Sequence, residues 1–342
     1  MKKHKYIHDK VFLLESGEEL EQLEIVYHTA GEISPDRDNV IWICHAFTAN
    51  SDPTDWWSEM AGEGKLYNPQ EHFIICANII GSCYGTTGPL SINPKTGEPY
   101  YDQFPLITIR DMARAHEILR HHLGIARIHT IIGSSIGAFQ ALEWNIAQPE
   151  IFDSFVFISS NCKVSPWMTA FNHSQRMAIH ADHSYFDRKP DGGLEGMKIA
   201  RSIALLSYRS YSGYTATQQE NNLDFLEAER ASSYQQYQGE KLAKRFNAYS
   251  YYSLTRSLDS HNVGRGRGGV EKALILIKAQ VLLIAVSSDV LFPVEEMEFM
   301  HNHLLQSDFH CIHSAFGHDG FLIESEQLRQ LITAFYKRRL KQ

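Results

Sequence analysis

The chain has 342 residues, enough for one large domain or two small ones, and its 43% hydrophobic content suits a globular protein with a sizeable core. A formal net charge of −8, with no long basic block, argues against a nucleic-acid-binding surface. The basic start, Met1 to Lys5, is followed by no apolar stretch, and no run is long enough to span a bilayer, so neither a signal peptide nor a membrane anchor is expected.

Five cysteines (Cys44, Cys76, Cys83, Cys162, Cys311) are odd in number and form no C-x-x-C pair. Several lie in apolar runs, as the reduced, buried thiols of a cytoplasmic protein would.

In chain order, residues 11–14 and 20–28 read as two strands joined by the turn at Glu15 to Glu18. Leu23, Ile25 and Tyr27 alternate with polar neighbours, as in a half-buried antiparallel pair. Residues 40–44 and 73–77 are continuous apolar runs, the pattern of strands buried on both faces. Thr108 and Asp111 have capping-box spacing and open a helix that ends at Gly124. A strand reaching Gly133, a helix from just after Ser135 to Gln148, and a strand over residues 155–159 complete a β-α-β-α order. That order predicts an α/β fold with a mostly parallel central sheet and helices on both faces.

From about residue 163 to 269 the apolar strand runs vanish, and helical patterns such as residues 225–237 take over. The stretch is too long for a loop and reads as an inserted helical lid. The expected organisation is a core of residues 1–162 and 270–342 with a lid of residues 163–269. Sheet pattern then resumes with a strand over residues 281–286, a helix over 294–305, a strand over 309–313 and a closing helix over 326–341.

Gly133-Ser134-Ser135-Ile136-Gly137 sits between strand and helix and has the G-x-S-x-G form of a nucleophile elbow. Such a turn holds a serine in strained geometry, with its hydroxyl raised above the sheet edge, and small flanking residues let the chain pass closely. Alone the pattern is weak, since a small-residue turn can carry no chemistry. Ser135, Asp289 and His318 each fall just beyond a predicted strand's carboxyl end, where open α/β sheets bind ligands. Their order is that of α/β-hydrolase triads. His318 would take the Ser135 proton, and Asp289 would fix the imidazole tautomer. The oxyanion donors expected are the backbone N–H groups of Ile136, at the helix start, and Phe47, in the loop after residues 40–44.

Longer blocks carry a resemblance. Cys44-His45-Ala46-Phe47-Thr48, the stretch from Asn78 to Pro89, Thr108-Ile109-Arg110-Asp111-Met112, Leu142-Glu143-Trp144, the segment from Asp259 to Gly269 and Gly317-His318-Asp319-Gly320-Phe321-Leu322 resemble the homoserine O-acetyltransferases of methionine biosynthesis. The elbow departs from that family's usual G-G-S-M-G-G at Ser134, Ile136 and Ala138, and Phe47 stands where the family has leucine. The resemblance implies the α/β-hydrolase fold and ping-pong acyl transfer from acetyl-CoA, through acyl-Ser135, to L-homoserine. Arg209 is implied as the partner of the substrate carboxylate and Asp319 as that of its amino group. No bound cofactor or metal is implied, acetyl-CoA being a co-substrate; the partners are small molecules, with a homodimer through the lid helices entertained besides. A homoserine O-succinyltransferase or serine O-acetyltransferase on the same scaffold stays open, as does a plain esterase. The G-x-G-x-x-G within Gly264 to Gly269 follows lid sequence instead of a buried strand, so a dinucleotide site is not expected.

Overall fold

The computed structural model describes the whole chain except Leu223, Phe225, Ala228 and residues 340–342. Among the described residues there are ten strands: β1 (Lys2–His8), β2 (Phe12–Leu13), β3 (Glu19–Leu20), β4 (Leu23–Ala30), β5 (Val40–Cys44), β6 (Phe73–Ala77), β7 (Ile128–Ser134), β8 (Phe152–Ile158), β9 (Gln280–Val286) and β10 (Ser307–Ile312). Eight of them form one sheet in the order β1-β4-β6-β5-β7-β8-β9-β10. The pairs from β6 to β10 are all parallel, whereas β1–β4 and β4–β6 are antiparallel.

The continuous apolar runs mark strands with both faces covered. On β5, Trp42 and Cys44 enter one core layer while Ile41 and Ile43 enter the other. Likewise on β8, Phe155 and Phe157 face one side, and Val156 and Ile158 the other. Period-two alternation thus feeds two hydrophobic layers from each central strand.

The amino-terminal pairing differs from the expected one. Residues 11–14 and 20–28 do not form a single hairpin; β2 and β3 make a two-residue ladder, and β4 pairs with β1 and β6. β1 escaped the sequence reading because it is an edge strand whose alternate side chains are exposed, including Lys3 and Lys5, so its hydrophobic signal is thin.

Helices α1 (Pro53–Trp56), α2 (Ile109–His122) and α3 (Ile136–Ala147) precede the long connection between β8 and β9. That connection carries α4 (Pro166–Ala181), α5 (Leu194–Tyr208), α6 (Tyr211–Gln218), α7 (Glu229–Ala243), α8 (Ala248–Asp259) and the short α9 (Val270–Leu274). The chain then adds α10 (Val294–His303), α11 (Gly320–Ile323) and α12 (Ser325–Arg339). The start of the helix expected over residues 225–237, at Phe225, and the end of that expected over 326–341 lie outside the described residues.

α2 begins as its sequence predicts: the Thr108 side chain accepts from the Asp111 N–H, and the Asp111 carboxylate accepts from the Thr108 N–H. Asp111 also accepts from the Glu15 N–H at 2.9 Å, tying the helix start to the loop after β2.

The start of α3 is set by close backbone packing. A Cβ on Gly137 would lie 2.2 Å from the Cys44 carbonyl oxygen at the end of β5, and one on Gly133 would lie 2.4 Å from the Gly137 backbone. Only a hydrogen fits at either position. Gly137→Ala should therefore force backbone apart instead of moving a side chain, at a cost of about 1–3 kcal/mol. Urea denaturation should show a lowered midpoint at unchanged slope, and an unaltered midpoint would contradict the packing described.

Candidate active site

The carboxyl ends of β5, β7, β9 and β10 place the sequence-predicted residues on one side of the sheet. Ser135 follows β7 with φ 54° and ψ −130°. A non-glycine residue pays for such a conformation, by about 1–3 kcal/mol, and the surroundings must impose it. Its own N–H is held by the Ile158 and Ser159 carbonyls at 3.2 and 3.3 Å, and its carbonyl accepts from the Ser160 hydroxyl at 2.9 Å. Ile136 is the first residue of α3, so its N–H lies at the positive end of the helix. Ser134, fully enclosed, has a hydroxyl with no hydrogen-bond partner.

Asp289 lies in the turn after β9. Its Oδ1 accepts from the Leu291 and Phe292 N–H groups at 2.8 and 3.0 Å, which aims Oδ2 at His318. His318 Nδ1 lies 2.7 Å from that oxygen, in a pair that is almost wholly buried. The contact assigns the proton to Nδ1 and leaves Nε2 as the basic nitrogen. Phe292, Phe321 and Tyr208 surround the imidazole at ring separations of 5.1, 5.2 and 5.8 Å.

Ser135, His318, Phe47 and Asp319 line one cavity of about 560 Å³, together with Thr48, Tyr84, Arg201, Tyr208 and Arg245. Phe47 packs its ring edge-on against Tyr251 at 4.8 Å, and its residue is part of the cavity wall. That loop is held from beneath. His45, fully buried, donates from Nδ1 to the Ala46 carbonyl at 2.9 Å and accepts the Ile79 N–H on Nε2 at 3.2 Å. Gln140 on α3 donates to the carbonyls of His45 and Ile136, at 3.4 and 3.0 Å, and accepts from His116 at 2.9 Å. One buried amide thus joins the Phe47 loop to the residue at the start of α3. Nothing in the sequence flagged Gln140 or His116, because the link spans three distant segments.

Arg209 and Asp319 are brought together, but on each other: the guanidinium Nη1 lies 2.7 Å from the Asp319 carboxylate, and Nη2 donates to Tyr234 at 3.1 Å. Asp319 is among the cavity-lining residues, whereas the arginines among them are Arg201 and Arg245. The turn between α5 and α6 rests directly on the histidine loop. A Cβ on Gly317 would lie 2.7 Å from the backbone of Arg209 and Ser210, and the Ser210 hydroxyl donates to the Ala315 carbonyl. Among the described residues, no group of three or more His, Cys, Asp or Glu side chains could hold a metal ion, and no helix is long and apolar enough to cross a membrane.

Residues 39–325 match the family described as alpha/beta hydrolase fold. A homoserine O-acetyltransferase of Cyclobacterium marinum is 45% identical over 326 residues, covering 94% of this chain and 92% of the relative. The chain belongs to the homoserine O-acetyltransferase family of α/β hydrolases. Solved structures agree on the fold. The homoserine O-acetyltransferase of Bacillus anthracis superimposes with a TM-score of 0.88 at 24% identity, covering 96% of this chain and 97% of that one. Esterase E22 does so with a TM-score of 0.86 at 23% identity, covering 96% of this chain and 100% of that one. At that identity the two structures speak to fold alone. The family assignment accounts for the long blocks outside the elbow, which a hydrolase fold by itself does not require.

The histidines beneath the site give a pH prediction. Burial pushes the pKa of His45 and of His116 down to about 4, and that of His261 down to about 3. Below about pH 6.5 the unfolded chain binds protons that these folded imidazoles refuse, so stability falls as pH drops from about 6.5 toward 4. Each group contributes up to about 1.4 kcal/mol per pH unit across that window. Denaturation at pH 7 and pH 5 should give a clearly lower midpoint at pH 5. Equal midpoints would show that the three rings are not held neutral.

Proposed function

We propose that the protein transfers an acetyl group from acetyl-CoA to the hydroxyl of L-homoserine through an acyl-Ser135 intermediate, with Ser135, His318 and Asp289 as the catalytic triad. The observation that carries this reading is the meeting of three things at one cavity. They are a serine on a strained strand-to-helix turn, an imidazole with Nε2 left basic, and a buried carboxylate on its Nδ1, all in a chain of this family.

The chemistry follows from those positions. His318 Nε2 takes the Ser135 proton as Oγ attacks the thioester carbonyl, and the collapse of the tetrahedral intermediate returns that proton to the departing CoA thiolate. Deprotonation of the acceptor hydroxyl by His318 then lets it attack the acyl carbonyl and release Ser135. Asp289 stabilises the imidazolium in both halves. The N–H groups of Ile136 and Phe47 are the proposed oxyanion donors, one supported by its place at the start of a helix and the other by its loop at the cavity wall. The Gln140 amide holds these two segments at a fixed spacing.

Arg209 and Asp319 are proposed as the recognition pair for the acceptor's carboxylate and ammonium groups. Their ion pair stands ready for a zwitterion: inserting homoserine exchanges one charge pair for two of the same kind. Residues 163–269 act as a lid in this reading, because the turn carrying Arg209 rests on the histidine loop.

Two substitutions test the triad. Ser135→Ala should abolish transfer in a folded protein, a loss of about 10⁶-fold in kcat. Asp289→Asn should keep the geometry and spoil the tautomer, costing about 10⁴-fold. If Asp289→Asn stays within tenfold of the parent in steady-state assays, the supporting acid lies elsewhere.

A further inference from the structure

Ser135 is not alone in being strained at the carboxyl end of the sheet. Ser159, directly after β8, has φ 42°, again a positive φ on a residue that carries a Cβ. The loop it opens, Ser159-Ser160-Asn161, holds the Ser135 backbone. The Ser159 carbonyl accepts from the Ser135 N–H, and the Ser160 hydroxyl donates to the Ser135 carbonyl. Strain of this kind persists only where the surroundings fix the loop from several directions. The Ser159 N–H donates to the Ile284 carbonyl on β9 at 3.0 Å, and the Asn161 carbonyl accepts from His261 Nε2 at 3.0 Å. Those contacts hold backbone. A side chain ties the loop to the far side of the triad.

Asn161, 2% exposed, donates from Nδ2 to Glu296 Oε2 at 2.6 Å. Among the described residues its Oδ1 has no hydrogen-bond partner, so the amide serves Glu296 at the expense of a buried acceptor. Glu296 lies in the first turn of α10. The connection that leads into this helix from β9 carries Asp289, whose Oδ1 accepts from Leu291 and Phe292. Phe292 in turn packs on the His318 ring at 5.1 Å. Burial raises the Glu296 pKa and the charge of Asp289 pushes the same way, as for a carboxylate within reach of another's field. Neither Asn161 nor Glu296 is among the residues lining the cavity that holds Ser135. Both line a different one, of about 650 Å³, between the two ends of the helical segment and α10. What they contribute to the reaction therefore passes through their neighbours.

We propose that Asn161 and Glu296 are positioning residues. Their hydrogen bond clamps the loop that holds Ser135 to the helix that follows Asp289, and so fixes the nucleophile's place relative to the His318–Asp289 pair. This rests on the triad reading above and adds a part which that reading lacks. Misplacing reacting groups by about 1 Å can cost about 100-fold in rate. Both half-reactions pass through Ser135 and His318, so the clamp serves both alike.

The test follows the two half-reactions separately in the full-length protein by rapid quench. One is acylation of Ser135 by acetyl-CoA and the other discharge of acyl-Ser135 by L-homoserine, with Tm recorded alongside. Glu296→Leu removes the acceptor and should slow both steps by about 10- to 100-fold, by like factors. The half-saturating concentration of either substrate should move by less than about threefold. Glu296→Gln keeps a side-chain oxygen for Asn161 and should stay within about threefold of the parent in both steps. Asn161→Ala should cost as much as Glu296→Leu, and the double variant no more than either alone, because one bond is lost in all three. A lowered Tm with both rate constants unchanged would make the pair a structural tie only and overturn the proposal. A loss in Glu296→Gln as deep as in Glu296→Leu, losses that add in the double variant, or a loss confined to one half-reaction would overturn it too. A parent protein that forms no acyl-Ser135 would instead defeat the triad reading on which the clamp rests.

Discussion

The site depends on a contact between two stretches of backbone. The first turn of α3 lies against the carbonyl end of β5, so close that neither Gly137 nor Gly133 has room for a Cβ. Because β5 and β7 are parallel neighbours, with Cys44 opposite Gly133, the same contact decides three things together. It sets the left-handed φ of Ser135, the direction of the α3 amino terminus and the place where the Phe47 loop leaves the sheet. Side chains then secure what the backbone has arranged. Gln140 bonds across the junction, and His45 and His116, held neutral by burial, serve as fixed hydrogen-bond partners.

A second level of organisation links the helical segment to α3. Glu143, buried two turns along α3 from Ser135, receives Arg110 from α2 at 3.2 Å and Arg267 at 2.7 Å. Arg265, two residues earlier, pairs with Glu15 at 2.9 Å, and Arg110 reaches Glu15 as well. The Gly264 to Gly269 stretch, which has the outward form of a nucleotide-binding loop, therefore uses its arginines on buried and half-buried carboxylates. Its glycines let the chain turn tightly, with positive φ at Gly266, Gly268 and Gly269. Midway along the helical segment, the α5–α6 turn is fixed to the histidine loop through the close approach of Gly317 and the hydroxyl of Ser210.

Much of this was legible in the sequence, for a physical reason. Strands buried on both faces need unbroken apolar runs, and β5, β6 and β9 announce themselves so. The spelling of the elbow reflects steric exclusion at Gly133 and Gly137, a local requirement, and it pointed to Ser135 directly. Asp289 and His318 were singled out because strand ends are where such a sheet presents side chains. What stayed hidden lies in pairings between distant segments. β1 carries too many exposed lysines to look like a strand, although β4 needs it as an edge partner. Residue types alone could not show that Arg209 and Asp319 meet each other. Nor could they show that Arg201, two turns earlier on α5, lines the cavity with its guanidinium over the Tyr208 ring. Each of those facts depends on how the α5–α6 turn docks on the histidine loop.

The central claim is covalent: the acyl group rests on Ser135 between the two halves of the reaction. Intact-protein mass spectrometry after brief exposure to acetyl-CoA, with no acceptor present, tests it most directly. The account predicts a mass gain of one acetyl group, located by peptide mapping to Ser135 and discharged when L-homoserine is added. No adduct, an adduct on another residue such as Cys83, or one that homoserine fails to discharge would contradict it.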